Sequence, residues 1–421
     1  MKPKLSEVFV PGGLPELTYN PRSEKHLESN LQKATLNLSK LVIVTGHTKT
    51  GKTVLVLRTL PRTRAIWVDG GAVGNDLAIM WDEINSQLDV ATSTAIRTSQ
   101  ENATSGKASL KGSFLPALFT RIEGKASTEI SRVAGVSHER TRDSSPRAAA
   151  LRALRCSKLP LIIDDFHFLD RDAQREVIRA LKGPIFDGLP VIVIAIPHKQ
   201  YDAVRVEREM AGRIHAIHVP EWTVEELEFI AYRGFAILER SIDPIWVRHI
   251  AENSIGSPHL MQDVLSTLCS RYVTAEGELA PSLPIDENIL ATAYSTVAAS
   301  IGRPIFEKLA EGPTSRTDRI VRKLKNGQEV DIYGLVLRAI AELKPELETL
   351  SYDDIRSAIR DVSGDDDLPA KHEVTRVLKK MSSIAATEQS SSRVIEFDDD
   401  DKLHIVDPFF AFFLRHGDTT L

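Results

Sequence analysis

Four short runs of nearly uninterrupted apolar residues mark the first half of the chain, at 41–45, 65–69, 159–164 and 191–196. A strand open to water on one face alternates apolar and polar positions. A run with no alternation suits a strand covered on both faces, as in a parallel sheet. Helical spacing separates the runs, so the order is repeated βαβ and predicts an α/β fold with a doubly wound parallel sheet. A Pro-Gly-Gly turn at 11–13 and a helical pattern over 23–34 precede the first run. The rhythm breaks from about 92 to 147, a stretch rich in Ser, Thr, Gly, Lys and Arg that reads as an insertion, with a short hairpin expected around 109–121.

Beyond Pro220 the pattern turns helical. Thr223 and Glu226 have the spacing of a capping box, in which the Thr hydroxyl accepts from the backbone three residues on and the Glu reaches back. Helices through about 269 are expected to form a lid, and the Pro- and Glu-rich stretch 273–290 a linker. Three amphipathic segments (332–343, 352–362 and 371–384) precede two strand-like stretches at 394–397 and 403–406. Three helices followed by a hairpin are the order of a winged-helix domain. The expected division is a leading segment 1–40, a core 41–220 carrying the insertion, a lid 221–272, a linker with helices 273–330, and a winged helix 331–421.

Composition narrows the choices. The net charge of -5 gives no overall attraction to phosphate backbones, so contact with DNA would need a local basic patch. Two cysteines, Cys156 and Cys269, are too few for a disulfide framework or a zinc site and read as reduced core thiols. The first ten residues carry Lys2 and Lys4 but no apolar signal core, and no stretch reaches the roughly 18 apolar residues of a spanning helix. A soluble, cytoplasmic protein is expected, without a membrane partner.

The chemistry concentrates after the first apolar run. Gly46-His47-Thr48-Lys49-Thr50-Gly51-Lys52-Thr53 fits the P-loop pattern and precedes a helical stretch starting at Val54. The glycines let successive N–H groups point at a phosphate, and the helix N-terminus adds its dipole. Lys52 would bridge β- and γ-phosphate oxygens, and the Thr53 hydroxyl would ligate Mg²⁺. The third run ends in Asp164-Asp165, the Walker B arrangement: Asp164 would hold the magnesium, and Asp165 would orient or deprotonate the attacking water. ATP and Mg²⁺ are thus the expected ligands, and ATPase activity the expected chemistry.

The run Ile162-Ile163-Asp164-Asp165-Phe166-His167-Phe168-Leu169 resembles the Walker B region of the STAND branch of AAA+-like ATPases. Asn20-Pro21-Arg22-Ser23-Glu24 resembles the short Arg-Glu motif that precedes the P-loop in STAND and origin-recognition-type members; the resemblance places Arg22 near the adenine. Gly256-Ser257-Pro258 is similar to their Gly-x-Pro lid motif, which would bring Pro258 onto the nucleotide, and residues 403–410 resemble the end of their winged helix. Each has a plain alternative in a surface turn, an interhelical turn or core packing, the last for the aromatic run 409–413. The resemblance implies a signalling switch, as in bacterial stress response or phage defence, acting through a protein partner or self-assembly.

The chain departs from that pattern in places. After the fourth run His198 stands as the candidate sensor residue, and His259 occupies the place of a sensor arginine. Arg208 and Arg213 are the candidates for an arginine finger. No ~34- or ~42-residue sensor repeat is present. Gly70 to Gly74 lacks dinucleotide-loop spacing, and the acidic run 398–401 lacks calcium-loop spacing and reads as a solvated turn.

Two other function classes compete with the switch. One is a DNA-associated AAA+ helper of the initiator or transposition type. Its basic residues would be Lys371, Arg376, Lys379 and Lys380 on the third helix, or the cluster Arg316, Arg319, Arg322, Lys323 and Lys325, which otherwise reads as a solvated helix face. The acidic hairpin, with Glu396 and Asp398 to Asp401, would repel phosphates. The other is a small-molecule kinase, which would need neither lid nor winged helix.

Overall fold

The computed structural model describes residues 3–36, 39–90, 145–196, 212–274, 279–314, 319–364, 368–387 and 394–420. His198, Arg208, Arg316 and all but the last three residues of the 92–147 insertion lie outside the described residues.

The four apolar runs form β1 (Leu41–Thr45), β2 (Ile66–Asp69), β3 (Leu161–Asp164) and β4 (Val191–Ala195) of one parallel sheet. A fifth strand, β5 (Ile214–His218), completes the order β2-β3-β4-β1-β5. It escapes the apolar pattern because it is only partly buried and carries His215 and His218. The absence of alternation in β1 has its predicted cause. Leu41 and Ile43 join the apolar cluster on one face of the sheet, while Val42 and Val44 join the cluster on the other. Side chains alternate across a strand, so both faces must be apolar. All five strands run the same way, and the P-loop and the Asp164-Asp165 pair leave the sheet at the same edge.

The leading helical pattern divides in two. A 3-10 turn, Ser23–Lys25, ends at His26, whose φ of 54° is left-handed, and the α-helix Leu27–Leu36 follows. The stretch expected as a lid forms the helices Val224–Ile237, Pro244–Asn253 and Pro258–Ser270. Thr223 and Glu226 form the expected capping box, with both hydrogen bonds present. Ser257 caps the last of these helices, and Pro258 occupies its first turn, where the missing N–H costs nothing.

The stretch expected as a linker is shorter than its composition suggests, since a helix begins at Glu287 (Glu287–Ile301) and Arg303–Glu311 follows. The basic cluster at 319–325 is not a helix face. Arg322–Lys323 pairs antiparallel with Glu329–Val330, Arg322 is buried, and Arg319 pairs with Asp331. The three amphipathic segments are the helices Ile332–Glu342, Tyr352–Val362 and Lys371–Thr387. They are followed by the strands Ile395–Phe397 and Lys402–Ile405, with Thr349–Ser351 as a third strand of that small sheet. The acidic run turns the hairpin: Asp398 accepts from the backbone of Asp400 and Lys402 and pairs with His404.

The aromatic run ends the chain as a helix, Pro408–His416, with Phe410, Phe412 and Phe413 fully buried. One continuous apolar cluster runs from Val8 and Phe9 through the lid helices to these phenylalanines. Lid and C-terminal region therefore share a core, separate from the two clusters flanking the sheet. Of the two cysteines only Cys269 is in it; Cys156 is exposed on Pro146–Ser157. Among the described residues no helix is long and apolar enough to cross a membrane.

Candidate functional site

The loop after β1 curls back into the helix Lys52–Thr59. Lys49 and Gly51 both have positive φ, 61° and 87°. At Gly46 the constraint is space: a Cβ there would lie 2.5 Å from the carbonyl oxygen of Val219. The glycine lets β1 and the chain leaving β5 close around the loop. Thr50 braces the curl through its hydroxyl, which donates to the His47 carbonyl at 2.9 Å.

The Lys52 ammonium is folded into this curl, donating to the carbonyls of Gly46 (2.9 Å) and His47 (2.7 Å). Burial pulls its pKa down to about 8, against the opposing pull of Asp165 and Asp164. A cation held with so little water, at a helix N-terminus, is set to gain from an arriving phosphate. The Thr53 hydroxyl donates to Asp164 Oδ1 at 3.2 Å. Burial, then the neighbouring Asp165, pushes the Asp164 carboxyl up to about 6. Two hard oxygen donors already face each other, which fits a Mg²⁺ that takes its remaining ligands from phosphate and water. Among the described residues no group of three or more His, Cys, Asp or Glu could hold a metal. Asp165 has a left-handed backbone (φ 48°) and a half-exposed carboxylate, with His167 Nδ1 3.9 Å from it.

These groups open onto a cleft of about 300 Å³. Thr48, Lys49, Thr50, Gly51, Lys52, Thr53, Val54, Asp165 and Pro258 all line it. Arg22 lines it too, but its guanidinium is engaged elsewhere. It donates to the carbonyls of Pro220 and Glu221, pairs with Glu226 at 2.8 Å and lies over the Trp222 ring. In this arrangement it ties the leading segment to the start of the lid. Arg213 lies over Phe186, away from the cleft lining.

Sequence reasoning missed several walls of the site. Val10, Gly12, Gly13, Pro15, Thr18 and Tyr19 line one end, and Gln262 and His259 enter from the helix Pro258–Ser270. Burial and the nearby Lys49 hold His259 neutral, with a pKa lowered to about 4. The Trp222 indole donates to the Thr50 carbonyl at 3.0 Å, and the Lys49 ammonium lies 4.9 Å from the centre of the Phe409 ring, which also meets the His259 edge. The only sequence hint of these contacts was the His at the sensor position.

The same architecture recurs among solved structures. The Walker-type ATPase PABY2304 of Pyrococcus abyssi aligns over 93% of this chain and 95% of its own, with a TM-score of 0.51 and 16% identity. This chain has an α/β P-loop NTPase fold.

Weaker similarities extend to the ORC1 protein of Aeropyrum pernix in complex with DNA (TM-score 0.45, 13% identity, 98% of this chain and 95% of that one). They also reach a STAND protein with a tetratricopeptide repeat sensor, PH0952 of Pyrococcus horikoshii (TM-score 0.37, 11% identity), of which the chain spans 42% while 94% of this chain is covered. No protein-family model matches the chain, and no curated protein matches it. At these identities the likeness carries the P-loop NTPase fold and leaves substrate and partner to the site itself.

Proposed function

We propose that this protein is an ATP-binding regulatory switch of the AAA+/STAND type that hydrolyses ATP slowly. The carrying observation is that one loop is touched by three parts of the chain. Core residues shape the P-loop, the lid grips it through Trp222 and Thr50, and the C-terminal helix reaches it through Phe409 and Lys49. A ligand that moves this loop changes contacts in both other parts, so the two arrangements bind it with different affinity, as any switch requires.

In this reading Lys52 leaves the Gly46 and His47 carbonyls for the β- and γ-phosphates, and the loop N–H groups take up their charge. Thr53 and Asp164 would hold Mg²⁺, which supplies charge neutralisation when bound. Asp165, at the cleft edge, orients the water that attacks the γ-phosphorus and accepts its proton. Its carboxylate is half exposed, with His167 Nδ1 3.9 Å away. The products are ADP and phosphate, and their release would reopen the lid.

A DNA-associated helper is the second reading. An open groove on the third C-terminal helix, lined by Lys371, His372, Arg376 and Lys379, favours it. The Lys371–Asp401 pair at 2.9 Å and the acidic turn beside it weigh against it. ATP turnover of the purified protein, with and without duplex DNA at low and high salt, separates the two. Slow turnover indifferent to DNA is expected; salt-sensitive stimulation by DNA would replace the switch with the helper.

A further inference from the structure

The cleft has two chemically different ends. The P-loop fixes the phosphate end, and the opposite end is walled by the leading segment and the lid, with Val10, Leu27, Val219 and Ile230 as its apolar surfaces. A flat, mostly apolar base belongs at that end. Thr18, Tyr19, Asn20, Arg22 and Gln262 also border it, with Arg22 held by the Pro220 and Glu221 carbonyls and by Glu226. Of the others, Thr18 and Tyr19 have their donor engaged, and Asn20 one of its two amide N–H groups. The Thr18 hydroxyl donates to the Val8 carbonyl, Tyr19 to Glu28, and the Asn20 amide nitrogen to the Glu226 carbonyl.

Gln262 differs. It sits one turn beyond Pro258 on the helix Pro258–Ser270 and is only 5% exposed. Its Oε1 accepts from the Val10 N–H at 2.8 Å. Only the amide oxygen can take a hydrogen from a backbone N–H, so this bond fixes which way the amide is turned. The amide nitrogen is then the other end, and it makes no hydrogen bond among the described residues. Gln262 lines the cleft, so this open N–H pair is available to an acceptor on a ligand bound there.

Resting on the reading that ATP occupies this cleft, we infer that Gln262 is a base-reading residue: its amide N–H group donates to a ring-nitrogen acceptor of the purine. The Val10 N–H holds the side chain in that orientation, so the leading segment and the lid together define the donor. Adenine offers acceptors at its ring nitrogens N1, N3 and N7, and replacing one of them by C–H removes the acceptor without changing the shape of the ring. A site built to donate should reject the analogue that lacks its acceptor, because the donor is then left buried and unpaired.

The test is equilibrium binding to the full-length protein of ATP and of its three deaza analogues, with N1, N3 or N7 replaced by C–H. One analogue is expected to bind about tenfold more weakly than ATP, and the other two within a small factor of it. Gln262→Glu keeps an oxygen for the Val10 N–H but replaces the donors with a carboxylate. Its decisive readout is therefore the loss of discrimination among the analogues rather than affinity alone. The variant should weaken ATP by about tenfold or more and no longer distinguish the discriminated analogue from ATP. Wild-type protein that binds all three analogues as tightly as ATP overturns the assignment without reliance on any variant. So does Gln262→Glu that still discriminates against the same analogue as wild type does. If ATP itself shows no saturable binding that Lys52→Ala removes, the failure belongs to the ATP reading and not to Gln262.

Discussion

At the scale of single residues, the site is a set of groups held against their solution preferences. Lys52 is buried on carbonyls, and Asp164 is pushed toward neutrality beside Asp165. Lys52→Ala should abolish ATP binding, and normal affinity in a titration of that variant would sink the P-loop assignment. Asp165→Asn should leave binding intact and slow turnover by tenfold or more (about the scale of losing a general base); unchanged turnover would remove Asp165 from its role.

A third residue, His416, makes a pH prediction. It stacks against Tyr294 and Phe412, and its Nε2 is buried without a hydrogen-bond partner. Burial, then the charges of Arg415 and its neighbours, lowers its pKa from 6.5 to about 4. Because the folded state holds it neutral while the unfolded chain does not, its contribution to stability is complete above pH 6.5. That contribution is lost as pH falls from 6.5 toward 4. Melting temperatures at pH 7.5 and 5 should show a smaller acid loss in His416→Phe than in wild type; equal losses would clear His416 of the effect.

At the scale of elements, the P-loop depends on a close approach between the end of β1 and the chain leaving β5. Gly46→Ala places a methyl 2.5 Å from the Val219 carbonyl, which real contacts do not tolerate. The loop must shift, so both ATP affinity and thermal stability should fall; a variant with normal values for both would mean that the loop is looser than its geometry. The lid is simpler. Thr223→Ala removes the cap of Val224–Ile237 and should cost about 1 kcal/mol in a denaturant melt. The apolar runs identified four of the five strands because burial on both faces leaves a signature in composition. β5 left none, since only Ile217 of its five residues is buried and two of them are histidines. The small hairpin at 322–330 was equally hidden: two-residue strands are too short to show any period.

At the scale of the whole molecule, lid and C-terminal region share one apolar cluster, and Lys49 meets Phe409 where that cluster reaches the P-loop. In the switch reading the two parts would move together against the core. In hydrogen exchange, ATP should change protection of Pro408–His416 in wild type and much less in Phe409→Ala. No change in wild type would disconnect the C-terminal helix from the nucleotide site.

The sequence by itself determined the class of fold and marked the residues of the candidate site. The P-loop and the Asp164-Asp165 pair are local patterns, read within a few residues, and the sheet's apolar runs follow from backbone alternation under two-sided burial. Only the tertiary structure decided what surrounds the nucleotide cleft. Val10, Trp222, Gln262 and Phe409 lie far apart in the chain, and nothing in their local sequence marks them as neighbours. Their meeting depends on how the leading segment and the C-terminal helix pack onto the lid, and packing of that kind is a property of the assembled core.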